Sequence, residues 1–252
     1  MVLWLWPNLL SLDAPIVAVL WQVLFARCFH AEVDAPSAIL LVLVVWLIYA
    51  ADRVLDAWTE RDGMPRHLFY RRHWRIVLPI WAVVFAIAGI VAWTGIPPNL
   101  FRRGLIVSAA VLIYFAAVHL TKKPWPKEAA VAALFALGAS LAAWNHLHSI
   151  EDFLPILLFS CLCWINCVAI DRWERGDATG FQIGAASLVV CLAAFLVHRH
   201  RPVLSAAEIV SALCFVVLDH WRRRLTADAV RVLADVALLS PIFFLPIAGT
   251  LS

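Results

Sequence analysis

The chain has 252 residues, of which 64% are hydrophobic and only 15% are charged, and its mean hydropathy is +0.88. A soluble domain is about 45–50% apolar and about 25% charged, so one soluble core cannot hold this apolar excess. The composition therefore excludes a water-soluble globular protein, a disordered chain and a small disulfide-stabilised secreted scaffold. A polytopic membrane protein is the class that remains.

Apolar runs separated by charged and proline-containing segments predict about nine transmembrane helices. A spanning helix takes about 20 residues, so nine helices with short connections account for residues 1–252 as a single all-α integral membrane domain. No basic segment precedes the first apolar run, so we expect no cleaved signal peptide. The predicted spans lie near 13–30, 36–57, 75–94, 102–120, 127–145, 153–171, 178–197, 203–220 and 228–248.

Most polar residues inside these spans have an ordinary structural explanation. The six cysteines lie in apolar stretches without the spacing of a disulfide framework, which favours packing over disulfides or metal binding. Asp235, in the ninth span, would cost about 2.5–3.5 kcal/mol at a helix centre unless it faces protein or water. We find no nucleic-acid-binding module and no Ser/His/Asp pattern.

The distribution of Lys and Arg predicts the orientation of the chain. Fourteen of these 20 residues follow the even-numbered spans, five lie on the opposite side, and Arg231 lies inside the ninth span. Cytoplasmic segments carry an excess of Lys and Arg. The even-numbered ends and the N-terminus are therefore expected in the cytoplasm.

The second predicted span ends in a row of carboxylates. It reads WLIYAADRVLDAWTERDGMPRH, which places Asp52, Asp56 and Glu60 at positions i, i+4 and i+8. These residues share one helix face and rise about 6 Å each. Mg²⁺ accepts carboxylate oxygens and bridges them to phosphates, but nearby arginines could neutralise the same acids. This span alone leaves both interpretations open.

The sixth predicted span ends in the same way and favours the first interpretation. It reads FSCLCWINCVAIDRWERGDATG, with Asp171, Glu174 and Asp177 at i, i+3 and i+6 and Asn166 deeper in the helix. Both acidic segments fall on the predicted cytoplasmic side. Since acids at the end of a spanning helix are functional candidates, two such ends indicate a shared metal–phosphate site.

The first acidic segment resembles a motif of the UbiA superfamily of intramembrane prenyltransferases. These proteins have nine spanning helices, with acidic motifs at the cytoplasmic ends of helices two and six. Their first motif is usually NDxxDxxxD. Asp56 and Glu60 match its last two acids, Asp52 stands where Asn is usual, and Arg53 replaces the first Asp. Arg53 could form a salt bridge with an acid in place of one metal ion, or could bind phosphate.

Two further segments are similar to the same family, so the resemblance in layout covers nearly the whole chain. The second family motif is of DxxDxxGD type, and Asp171, Glu174, Gly176 and Asp177 resemble it with one residue fewer before the glycine. Tyr114 followed by HLTKKPWP is similar to the family's Tyr…Lys-Arg segment after helix four. Both motif matches are partial.

The resemblance implies a Mg²⁺-dependent enzyme in the membrane, of the bacterial inner (plasma) membrane type, with a cytoplasmic active site. Its substrates would be a polyprenyl diphosphate and an aromatic or other lipophilic acceptor; its surroundings are membrane lipids, and no nucleic acid is expected. The implied metal ligands are Asp52, Asp56, Glu60, Asp171, Glu174 and Asp177. The implied catalytic residues are Asp56, Asp171 and Lys123. The implied diphosphate-binding residues are Arg53, Arg66, Arg71, Arg72, Lys122 and Asn166.

Two other functions remain open. The first is a non-catalytic or transport-type membrane protein on the same scaffold, with its acids held in salt bridges by the neighbouring arginines. The second is a relative that transfers another group, for example by using a polyprenyl phosphate with a sugar-phosphate donor. The departures from the motif at Asp52 and Arg53 keep the first of these alternatives open.

Overall fold

The computed structural model describes residues 6–59, 65–120, 127–175 and 182–248, with positions 58–59, 65–67, 119–120 and 174–175 described by their backbone alone. This described part of the chain is helical and contains no strand. Two 3₁₀ turns, Leu141–His146 and Arg222–Arg224, accompany the α-helices. The α-helices are α1 (Trp6–Leu9), α2 (Asp13–Cys28), α3 (Ala35–Thr59), α4 (Pro65–Gly95), α5 (Pro98–Leu120), α6 (Lys127–Ser140), α7 (Ile150–Arg175), α8 (Ile183–Val197), α9 (Pro202–Trp221), α10 (Ala227–Ala237) and α11 (Pro241–Ala248).

Seven segments of the described chain are long and apolar enough to cross a membrane. They coincide with the second to sixth, the eighth and the ninth predicted spans, which agrees with an all-α membrane protein. The first and seventh predicted spans also form helices, but these have only 16 and 15 residues. At 1.5 Å per residue they measure about 24 and 22 Å, less than a hydrocarbon core of about 30 Å. The count of about nine spans stays a prediction.

Local sequence signals set many of the helix boundaries. Four helices, α4, α5, α9 and α11, begin at a proline, whose fixed φ and missing N–H suit the first helical position. Asp34 caps α3 by accepting the Ser37 N–H at 2.9 Å. The end of α2 is a Schellman motif: His30 has a φ of 54°, and the Ala31 N–H bonds the Ala26 carbonyl at 2.8 Å. This motif ends the first predicted span at Cys28.

The chain divides into two compact units. The first unit contains Met1–Val19 and Asp34–Phe101, and the second contains Leu20–Val33 and Arg102–Ser252. The division falls inside α2 and near the start of α5. That residues 1–252 form a single integral membrane domain stays a prediction.

The first unit is built on the packing of α3 against α4. Trp81 of α4 donates its indole N–H to the Leu47 carbonyl at 2.9 Å. At the start of α3, Pro36 lies so close to Gly95 of α4 that a Cβ at this glycine would meet the proline Cβ at 2.9 Å. The absence of a side chain at Gly95 therefore permits the close approach of the two helices.

The core of the second unit joins α2 to α7 through aromatic rings. Trp21 is fully buried and stacks on Phe159 with 4.1 Å between ring centroids. Phe25 meets Phe159 edge-on at 5.8 Å. Such pairs contribute about 0.5–1.5 kcal/mol each beyond their buried area.

Small residues bring α6 close to α7. Ala132, Ala136, Ala139 and Ala143 are all buried and follow a helical spacing of four, three and four residues. Small residues at an interface let helix backbones approach closely within a membrane, where van der Waals packing drives association. Since α7 is the helix that packs against α6, we infer that the buried alanines of α6 form its contact surface with α7.

We expect Ala139→Leu to destabilise the protein by about 1–3 kcal/mol, because added methylenes at a closely packed contact force the helices apart. Reversible unfolding in mixed micelles measures this change. Ala133→Leu, at an exposed position of the same helix, is the matched control and should change stability little. Equal effects of the two substitutions would contradict the assigned contact surface.

The ninth predicted span is broken into two helices. α10 ends at Ala237 and α11 begins at Pro241, since a proline disfavours helical backbone at the residue before it. Backbone groups freed by a break inside a membrane need partners within the protein. Trp21 donates its indole N–H to the Leu238 carbonyl at 2.8 Å, and the Ser240 hydroxyl donates to the Ala207 carbonyl at 2.8 Å. The break is thus stabilised by α2 and α9.

Candidate functional site

The first acidic motif lies in the last two turns of α3, within the first unit. Asp52 and Asp56 are both half-buried and are separated by one helical turn, about 6 Å. Neither carboxylate is without an interaction partner. Glu60, the third acid of the motif, lies outside the described residues. The described part of the motif is therefore a pair of carboxylates on one helix face.

Arg71 binds the carboxyl end of α3. Its Nε and Nη2 atoms donate to the Ala57 carbonyl at 2.9 and 2.5 Å. This carbonyl belongs to the last turn of α3, where carbonyls lack helical partners and a cation is favourable. Arg71 thus places a positive charge at the carbonyl of Ala57, the residue that follows Asp56 in the chain. This is a structural role that the sequence did not reveal.

A second polar group of the first unit involves the turn between α1 and α2. The buried Tyr70 hydroxyl lies 3.1 Å from the Ser11 hydroxyl, and Asn8 donates to the Asp13 carboxylate at 2.7 Å. Arg53 lies within electrostatic range of Tyr70, and its Nε atom is buried without a hydrogen-bond partner. The sequence did not predict this group. The sequence feature that indicates it is Asp13, the acid at the first position of α2.

Two ion pairs show that α7 and α9 of the second unit begin at the same end. Glu151 pairs with His200 at 3.0 Å, and Asp152 pairs with Arg201 at 2.8 Å. The acids lie in the first turn of α7, and the basic residues directly precede α9. The two helices are therefore parallel. Asp171, near the carboxyl end of α7, lies at the opposite end of the unit from these pairs.

Asn166 joins the second acidic segment to α10. Its Nδ2 atom donates to the Asp235 carboxylate at 3.1 Å, and its Oδ1 atom is buried without a partner. This contact gives Asp235, the costly acid of the ninth span, a partner inside the protein. The role of Asn166 towards a diphosphate stays a prediction. Asp235 is a polar neighbour of the second motif that sequence spacing could not reveal.

We expect Asn166→Leu to destabilise the protein by about 1–3 kcal/mol, because it leaves the Asp235 carboxylate short of one hydrogen bond in a poorly solvated place. The double variant with Asp235→Leu should recover part of this loss, since it removes both polar partners. A double-mutant cycle of unfolding free energies tests this coupling. Additive single effects would contradict it.

Asp219 connects α9 to the first turn of α8. One carboxylate oxygen accepts the Gly184 N–H at 3.1 Å, and the other pairs with Arg222 at 2.9 Å. A Cβ at Gly184 would lie 3.1 Å from the carboxylate, so the glycine makes this approach possible. Asp219 therefore has a structural role, although it lies near the same end of the unit as Asp171.

The donor set of the two motifs fits Mg²⁺ in its chemistry, because hard divalent cations prefer carboxylate oxygens. Within the described residues, no group of three or more His, Cys, Asp or Glu side chains is placed to hold a metal ion. Asp52 and Asp56 belong to the first unit and Asp171 to the second. The predicted residues whose side chains lie outside the described part are Glu60, Glu174, Asp177, Arg66, Lys122 and Lys123.

The last predicted diphosphate ligand, Arg72, is an exposed residue of α4.

Comparison with known proteins finds no matching protein family, no matching curated protein and no matching solved structure.

Proposed function

We propose that this protein is a Mg²⁺-dependent intramembrane prenyltransferase of UbiA type. It moves a polyprenyl group from its diphosphate to an aromatic or other lipophilic acceptor. The observation that carries the proposal is the position of the acids: Asp52 and Asp56 lie in the last two turns of the spanning helix α3, and Asp171 lies near the end of the spanning helix α7. Acids are rare in membrane-spanning helices and mark functional sites there.

The chemistry of the reaction matches these residues. A bound Mg²⁺ would neutralise the diphosphate as it leaves the allylic carbon. Asp52, Asp56 and Asp171 would hold the metal ion, together with Glu60, Glu174 and Asp177. Carboxylates alone would repel a diphosphate, so the positive charges near the motifs are also needed.

The basic residues would bind the negative charge that remains. Arg71 already lies at the carboxyl end of α3, where it could contact a phosphate oxygen held beside Asp56. Arg53, Arg72 and Lys122 would add further positive charge, and Lys123 would act on the departing diphosphate. Charge-assisted hydrogen bonds of this kind are about twice as strong as neutral ones. The apolar helices would exclude water from the isoprenoid chain and the allylic cation.

The positive charges also support one alternative. A non-catalytic or transport-type protein would use Arg53 and Arg71 to neutralise the acids permanently. The observation in its favour is Arg71, which donates two hydrogen bonds to the Ala57 carbonyl at the end of α3. In that case the acids would stabilise the end of α3 and would have no need of a metal ion.

A direct transfer assay separates the two functions. Purified protein in lipid nanodiscs is given a labelled polyprenyl diphosphate and a panel of aromatic and lipophilic acceptors, with Mg²⁺ or with EDTA. We expect a prenylated product and released diphosphate only with Mg²⁺. A protein that folds equally well in both conditions, binds no diphosphate and forms no product would overturn the transferase proposal and favour the alternative.

A further inference from the structure

A glutamate is buried inside the second unit without any hydrogen-bond partner. Glu208 lies in the spanning helix α9 and is 0% exposed, and neither of its carboxylate oxygens is hydrogen-bonded. Among the described residues, no cation pairs with it. An isolated ionised carboxylate in such a place is very costly. To be stable in this place, Glu208 therefore needs a bound proton or cation.

The neighbours of Glu208 are small polar groups and thiols. Ser205, one turn earlier in α9, is also 0% exposed, and its hydroxyl has no partner. Ser205 and Glu208 stand at positions i and i+3 of α9 and so share one helix face, and Arg201 directly precedes this helix. Cys28 of α2 and Cys161 of α7 lie within electrostatic range of the Glu208 carboxyl. The carboxyl thus lies inside the second unit, within electrostatic range of thiols on α2 and α7.

The other helices packed against α9 supply no counter-charge. α8 carries one titratable residue, Cys191, and α11 carries none. α10 carries Asp228, Arg231 and Asp235. The Arg231 Nη1 atom lies 3.9 Å from the Asp228 carboxylate, and the Asp235 carboxylate accepts a hydrogen bond from Asn166 of α7. No ion pair joins any of these groups to Glu208 in the described part of the chain.

A cleft opens to the surface at the end of the second unit where α9 begins. It lies between the ends of α2 and α11 and the start of α9, and has an empty volume of about 440 Å³, part of it open to solvent. Cys28, His30, His200 and Arg201 are among its lining residues. Cys28 is also within electrostatic range of the Glu208 carboxyl.

We propose that Glu208 is the proton-binding group of a buried intramembrane site, and that its proton exchanges with solvent at this cleft through Ser205. A change of side-chain rotamer brings the Glu208 carboxyl to the Ser205 hydroxyl, which lies one turn earlier on the same face of α9. The carboxyl O–H then passes its proton to the hydroxyl oxygen, as that hydroxyl gives its own proton to a water molecule that enters from the cleft. The reverse transfer restores the acid. A hydroxyl can both donate and accept, which this step requires.

A proton fits this site better than a metal cation. α9 offers three buried oxygens without a hydrogen-bond partner, the two of Glu208 and the one of Ser205, whereas hard cations such as Mg²⁺ and Ca²⁺ take about six or more oxygen ligands. A proton needs one carboxylate oxygen. The site lies near the beginning of α9, whereas Asp171 lies near the end of the parallel helix α7. The proposal is therefore independent of the transferase chemistry.

Infrared spectroscopy of the protein in nanodiscs tests the proposal. We expect a carboxylic acid C=O band at neutral pH that is absent in Glu208→Gln and that shifts on transfer to D₂O. Ser205→Ala should keep the band and slow its shift. Ser187→Ala is the matched control, because this buried hydroxyl donates to the Ile183 carbonyl within α8; its shift should keep the wild-type rate. If Glu208→Gln does not fold, Glu208→Asp should move the band rather than remove it.

Each other outcome overturns a defined part of the proposal. If Glu208→Gln removes no acid band, or Glu208→Asp moves none, Glu208 is ionised and the site does not hold a proton. A band that never shifts in D₂O would mean a permanently sealed acid without exchange. If the acid band is present in a choline chloride buffer but lost in a sodium chloride buffer, sodium has displaced the proton and Glu208 belongs to a cation site. Equal exchange rates in Ser205→Ala and Ser187→Ala would remove Ser205 from the path.

Discussion

Asp56→Asn and Asp171→Asn are each expected to lower Mg²⁺-dependent prenyl transfer at least about 100-fold, while the helical fold is retained. The substitution keeps the size of the side chain and removes the charge that a metal ligand needs. Changes in the groups that only support a metal ligand already cost about 10–100-fold, so loss of a ligand itself should cost at least as much. Product formation is measured against Mg²⁺ concentration, and circular dichroism reports the fold.

Glu151→Gln provides the matched control for Asp171→Asn. It makes the same change of charge on the same helix, but at the opposite end of α7, where Glu151 is half exposed and pairs with His200. We expect near wild-type transfer from this variant. If all three variants lose activity equally, the loss reflects a general effect on the fold. If all three keep it, the acidic motifs do not hold the metal ion.

Trp21→Ala should lower the free energy of unfolding by about 3–5 kcal/mol, more than Ala139→Leu or Asn166→Leu. The indole is fully buried, stacks on Phe159 and donates to the Leu238 carbonyl at the break between α10 and α11. Its removal creates a cavity and leaves that carbonyl without this donor. Reversible unfolding in mixed micelles measures the loss.

Two variants divide the contribution of Trp21 into its parts. Trp21→Phe keeps an aromatic ring and loses the N–H donor, so we expect an intermediate cost of about 1–3 kcal/mol. Trp93→Ala removes an indole that is 81% exposed and should change stability by no more than about 0.5 kcal/mol. A Trp21→Ala variant as stable as Trp93→Ala would show that the aromatic core does not hold α2 in place.

The ends of the helices show how far sequence reasoning reaches. Apolar length and composition located all seven described segments that are long and apolar enough to cross a membrane, because a span needs a run of apolar residues wherever it packs. The same reasoning placed the first span to residue 30, two residues beyond the observed end of α2. It also missed the break before Pro241, although a proline was visible there, because spanning helices tolerate prolines when their neighbours satisfy the freed carbonyls.

The candidate site shows the same limit. The spacing of Asp52 and Asp56 in α3 was readable because a helix has a fixed period. The partners of other polar residues were not readable: Asp235 meets Asn166 across 69 positions of sequence, and Tyr70 meets Ser11 across 59. No local rule links such positions, since only the packing of helices brings them together.

The sequence by itself determined the class of the protein, the positions of its apolar helices and the acids at the ends of two of them. These properties follow from composition and from the period of a single helix. Only the tertiary structure decided that Arg71 binds the end of α3, that α7 and α9 are parallel, and that Glu208 is enclosed without a partner. Burial and pairing depend on which helix faces lie together, and that is a property of the packed chain.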